Sequence, residues 1–128
     1  MSLTQEIKAG LQKDGWDTQV VKFKTQIPNL AQERFGGSDK KAAQMKEVEG
    51  ENIVAISKGN DRCLVMIGGH YDTKIYKGFK FVGANDGGSS TALILELARV
   101  LKKTYFQSNT LGACELHFVF FDGEESFL

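Results

Sequence analysis

The sequence predicts an α/β protein built as a three-layer, open mixed sheet. Three observations carry that expectation. Short apolar runs at 52–56, 63–67 and 115–121 read as strands, and the amphipathic stretch 90–103 lies between the second and the third. A strand, a crossover helix and a strand in that order favour parallel neighbours in one sheet. Polar clusters rich in His, Asp and Glu follow the second and third runs, where open α/β sheets gather ligands.

Each element has its own signal. Residues 4–14 read as a helix, with Ile7 and Leu11 four apart and Gly15 ending it. Trp16 to Thr25 reads as a strand whose second half, with Val21 and Phe23 against Lys22 and Lys24, is half-buried. From Pro28 to about Glu49 the chain is polar and reads as a surface excursion with a helical turn near 40–46. Residues 52–56 form the second strand, closed by a turn at Lys58-Gly59-Asn60-Asp61. Cys63 to Ile67 is apolar at every position, the pattern of a strand buried on both faces. In the helix 90–103, Leu93, Ile94, Leu97, Val100 and Leu101 form the apolar stripe, and Ser89 or Ser90 caps it. Thr104 to Cys114 reads as a loop and Glu115 to Phe121 as the last strand.

Composition narrows the function classes. A chain of 128 residues is long enough for one domain, 1–128, with a true core. Sixteen basic and sixteen acidic residues give zero net charge, which excludes a general nucleic-acid binder. No run reaches the length of a membrane span. The first residues lack a signal-peptide pattern, so the expectation is cytoplasmic, or secreted or periplasmic after removal of a leader. Cys63 and Cys114 lack metal-site spacing and read as buried free thiols.

Three clusters carry candidate chemistry: His70 and Asp72, then Asp86 in Gly83-Ala84-Asn85-Asp86-Gly87-Gly88, then Glu124 and Glu125. If the strands at 63–67 and 115–121 are parallel neighbours, all three converge on one rim. His, Asp and Glu together form a donor set that zinc accepts, for one ion or for two bridged by a carboxylate. Adjacent glutamates leaving a strand point different ways, so one can hold metal while the other moves a proton. The glycine-rich stretch has no P-loop lysine, and Asp86 would repel phosphate. His117, inside the last strand, reads as structural or exposed.

These residues resemble a known family. His70-Tyr71-Asp72-Thr73-Lys74, Phe81-Val82-Gly83-Ala84-Asn85-Asp86, Leu95-Glu96-Leu97-Ala98-Arg99 and Phe120-Phe121-Asp122-Gly123-Glu124-Glu125 are similar, in order and spacing, to the zinc aminopeptidase and glutaminyl cyclase metallopeptidases. The likeness covers 52–128 and is weaker over 16–51. It leans toward the glutaminyl cyclase branch, because aminopeptidases more often show Pro-Gly-Ala-Asp-Asp-Asn in the middle motif. The resemblance implies a zinc-exopeptidase fold. It implies Asp86 and Glu125 as zinc ligands, Glu124 as the general acid/base, His70 as ligand of a second zinc only, and Asp72 as its orienting partner. The Cys that animal cyclases carry before the His-Tyr-Asp motif is Gly69 here, and its mate is missing from Ser89 to Ala92.

The leading expectation is a zinc-dependent glutaminyl-peptide cyclotransferase acting on peptide or protein N-termini, forming pyroglutamate and releasing ammonia. The alternatives are a zinc aminopeptidase and a non-catalytic peptide- or protein-binding domain. The family also places a zinc-ligand His and an Asp well after the glutamate pair. The expectation is therefore an incomplete domain, silent by itself, with the strand 116–121 as an exposed apolar edge prone to self-association.

Overall fold

The structure, a computed structural model, describes residues 1–28, 45–76, 78–104 and 114–126. Helix α1 spans Leu3–Lys13, and a capping box opens it: the Ser2 hydroxyl accepts from the Gln5 N–H while the Gln5 side chain accepts from the Ser2 N–H. Strands β1 (Asp17–Pro28), β2 (Met45–Ser57), β3 (Asn60–His70) and β4 (Cys114–Phe121) form one mixed sheet in the order β1-β2-β4-β3. Helix α2, Gly88–Thr104, crosses from β3 to β4, and these two strands pair in parallel. The α/β class with an open mixed sheet is thus the observed architecture.

The core lies where both helices meet the sheet. Ile7 and Leu11 of α1, Ile94 and Ala98 of α2, and Ile53, Ala55, Leu116, Phe118 and Phe120 of the sheet form one buried cluster. Trp16 locks the layers together. Its indole N–H donates to the Ala98 carbonyl at 3.1 Å, and its ring meets Phe118 edge-on at 5.1 Å.

Several expectations need correction. The strand 116–121 is no edge: β4 lies between β2 and β3, and the outer strands among the described residues are β1 and β3. Accordingly Cys63 to Ile67 is not buried on both faces; Leu64, Val65 and Met66 are exposed. The turn read at Lys58-Gly59-Asn60-Asp61 is shorter, because β3 already begins at Asn60. The buried face of α2 is Thr91, Ile94 and Ala98, flanked by Leu95, Leu97 and Leu101, whereas Leu93 and Val100 are exposed. The two serines do not cap α2; their hydroxyls donate to the Asn85 and Gly87 carbonyls. Val21 on β1 is exposed. Residues 45–49 belong to β2 rather than to a surface excursion, and the turn expected near 40–46 lies largely outside the described residues, as does most of the loop after α2.

Cys63 and Cys114 are not free thiols. They form a disulfide with their Cα atoms 4.8 Å apart. Parallel neighbours start at the same end of a sheet, so two cysteines 51 residues apart meet at the beginnings of β3 and β4.

Candidate metal centre

The parallel pairing that brings the cysteines together also assembles the opposite rim. In the register of β3 and β4, His70 lies beside Phe121, so the residues after both strands emerge together. Asp86 reaches the same rim through two glycines with positive φ, Gly83 at +60° and Gly87 at +89°. A Cβ on Gly87 would stand 2.9 Å from the Asp72 carbonyl oxygen and 3.2 Å from the His70 ring. The glycine-rich stretch therefore serves close approach of the chain to His70, and it seats Asp86 against that ring.

The imidazole is held at both nitrogens. Nδ1 lies 3.1 Å from the Asp72 carbonyl oxygen, and Nε2 lies 3.2 Å from Asp86 Oδ1. A proton on Nδ1, donated to the carbonyl, leaves Nε2 as a lone pair facing a carboxylate oxygen. Two acceptors at that distance need a proton or a cation between them. Burial alone lowers the His70 pKa. The hydrogen bond to the Asp72 carbonyl and the charges of Glu124, Asp72 and Asp86 outweigh it, so the net direction is upward. Glu125 is also pushed up, by desolvation first, then by a hydrogen bond with Asp86 and the charges of Asp86 and Glu124, with His70 opposing.

Donor atoms of His70, Asp86 and Glu125 all lie within 4.8 Å of one another. Two zinc–ligand bonds span about 4 Å, so only a small adjustment separates this cluster from a coordinating set. The chemistry of the donors fits too: an imidazole nitrogen and two carboxylates are a donor set that zinc accepts.

Asp72 joins the two halves of the rim. Its Oδ1 accepts from the Glu124 N–H at 3.2 Å and its Oδ2 from the Glu125 N–H at 2.9 Å, fixing the 3₁₀ turn Glu124–Ser126. The sequence reading gave Asp72 a task toward His70; the structure adds this grip on the glutamate backbone. His117 stands apart, half-buried, with Nε2 2.6 Å from Glu115 Oε1. Sequence reasoning missed Tyr71, Asn52 and Asp122, whose hydrogen bonds border the turn. Their one signal was the presence of Tyr71 and Asp122 inside the motifs themselves.

Residues 52–128 match the family model described as Peptidase family M28. The chain belongs to peptidase family M28. Among curated M28-like relatives, a glutaminyl-peptide cyclotransferase of Drosophila melanogaster is 30% identical over 112 residues, covering 88% of this chain and 27% of that protein. One of Dictyostelium discoideum is 31% identical over 121 residues, covering 88% and 31%. The chain thus spans less than a third of each of these two relatives. A glutaminyl cyclase structure from Porphyromonas gingivalis superposes with TM-score 0.71 at 22% identity, over 97% of this chain and 39% of that one. A Zn-dependent exopeptidase from Parabacteroides distasonis gives 0.66 at 18%, over 97% and 38%. These two share the fold of this chain. Among the described residues, no helix is long and apolar enough to cross a membrane.

Proposed function

We propose that the protein is a zinc-dependent glutaminyl-peptide cyclotransferase, acting on the N-terminal glutamine of a peptide or protein. The observation that carries this reading is the gathering of His70, Asp86 and Glu125 donor atoms within 4.8 Å, with Glu124 on the same Asp72-held turn. The relatives named glutaminyl-peptide cyclotransferase at 30–31% identity support the choice of reaction.

Asp86 and Glu125 would hold the zinc. His70 would complete that set or hold a second ion, and elemental analysis of zinc per chain separates the two. When bound, zinc supplies a Lewis acid toward the γ-carbonyl oxygen of the substrate. Glu124 accepts a proton from the α-amine as that nitrogen bonds to Cδ, the carbonyl carbon of the side-chain amide. It returns the proton to the amide nitrogen on that carbon, the Cδ–N bond breaks, and ammonia leaves with pyroglutamate closed. Asp72 holds the backbone beneath Glu124 and so sets its reach. Self-association, also part of this reading, would run through β3, the outer strand that exposes Leu64, Val65 and Met66.

The aminopeptidase reading is favoured by one observation, the 3.2 Å contact of His70 with Asp86, which suits a two-ion site. The product of the whole reading frame, loaded with zinc and given a Gln-peptide, decides by mass spectrometry. Loss of ammonia supports the cyclase, and loss of the first residue supports the aminopeptidase. An intact peptide that still binds the protein supports a non-catalytic binding domain.

A further inference from the structure

We infer that Asp122, Asn52 and Tyr71 form a positioning clasp that aims the Glu124–Glu125 turn from the side of β2. Antiparallel pairing of β2 and β4 ends at Ile53 and Phe120. Beyond that point the ladder would leave backbone groups unpaired, and side chains take over. The Asp122 carboxylate accepts from the Glu51 N–H at 3.0 Å, and the Asp122 N–H donates to Asn52 Oδ1 at 2.9 Å. Each of two neighbouring β2 residues thus holds Asp122, one through its backbone and one through its side chain. The Glu51 peptide is gripped from its other end as well, because the Tyr71 hydroxyl donates to its carbonyl at 2.7 Å. Tyr71 is buried, and its own N–H donates to the Phe121 carbonyl at 2.9 Å.

The arrangement is two-sided. Asp72 reaches the turn from β3 and Asp122 ties it to β2, so the two residues that follow Gly123 leave from a point fixed on both flanks. Neither Asp122 nor Asn52 belongs to the donor cluster, so their effect on a bound ion is indirect. Partners of this outer kind change metal affinity by about 10- to 100-fold when removed.

The inference rests on the metal-binding reading above, and the test separates the two. Zinc affinity is measured by competition with a chromophoric chelator on the whole reading-frame product, well below each variant's melting transition. Asp122→Ala and Asn52→Ala should each weaken zinc about 10- to 100-fold. Asp122→Asn, which keeps an oxygen facing the Glu51 N–H, should restore most of it. If Asp122→Ala does not fold, Asn52→Ala and Asp122→Asn still decide. Folded Ala variants that melt earlier yet bind zinc as the parent does would overturn the clasp and leave it a stabilising contact only. A parent protein that binds no zinc sinks the metal-binding reading, and the clasp with it.

Discussion

The β3–β4 pair is closed in two different ways at its two ends. Where the strands begin, Cys63 and Cys114 are joined covalently. Where they finish, the Tyr71 N–H reaches the Phe121 carbonyl and the Asp72 carboxylate spans the Glu124 and Glu125 N–H groups. The first end needs nothing from outside. The second gathers four carboxylates, of Asp72, Asp86, Glu124 and Glu125, around one imidazole; desolvation first and the neighbouring carboxylates next push Glu125 up, and, against burial, the Asp72 carbonyl with those carboxylates pushes His70 up. Like charges held together oppose folding until a proton or cation joins them. One end of the pair thus fixes the scaffold, and the other stores the charge that a ligand would neutralise.

The largest expected effect sits at the charged end and is chemical. Glu124→Gln keeps shape and removes the base, so turnover of a Gln-peptide should fall about 100- to 10,000-fold with zinc content retained. Asp86→Ala and Glu125→Ala should instead lose zinc, read by elemental analysis after dialysis. Near-normal turnover in Glu124→Gln would remove the proton-transfer role.

The covalent end should behave in the opposite manner. The disulfide closes a loop across 51 residues that contains His70, Asp72 and Asp86. In the chain-entropy account such a loop contributes about 4 kcal/mol, by restricting the unfolded chain. The double change Cys63→Ser with Cys114→Ser should lower unfolding free energy by roughly that amount in urea, while the folded variant keeps its zinc affinity. A fall in zinc affinity matching the fall in stability would mean that the two ends are coupled along the strands. Smaller again is the gain from the ion itself. Free zinc at 100 times its dissociation constant should add about 2.7 kcal/mol, and Asp86→Ala should abolish that gain. Equal thermal shifts in parent and Asp86→Ala would place the binding elsewhere.

Much of the charged end was legible before any coordinates, because it depends on residue types at the ends of elements. A strand must end, and His70, Asp72, Glu124 and Glu125 stand where two apolar strands do. The covalent end was not legible. The strand–helix–strand order already favoured β3 and β4 as parallel neighbours, but pairing of Cys63 with Cys114 also needs their register at the strand starts, which spacing does not encode. The place of β4 was hidden too, since no local pattern says that it inserts between β2 and β3. The face of α2 was misjudged because hydrophobicity selected Leu93 and Val100, which are exposed, and passed over Ala98, which is fully buried. Asn52 and Asp122, 70 residues apart, meet only across the sheet.

The smallest effect tests whether β3 is held at its ends rather than along its faces. Between Cys63 and His70, the side chains of Leu64, Val65 and Met66 are 53%, 46% and 54% exposed. Val65 lies beside Leu116 in the register, so its backbone is tied to β4 even though its side chain faces solvent. Val65→Thr keeps the β-branched shape and the strand preference and adds one hydroxyl. At an exposed site water satisfies that hydroxyl, and the change should stay within about 0.5 kcal/mol. In a buried site the same hydroxyl costs about 1–3 kcal/mol for lack of a partner. Ile53, fully buried on β2, supplies the control: Ile53→Thr should show the larger cost. Urea unfolding of both variants makes the comparison. A Val65→Thr cost as large as that of Ile53→Thr would mean that packing along the faces of β3, rather than its two ends, holds the strand in place.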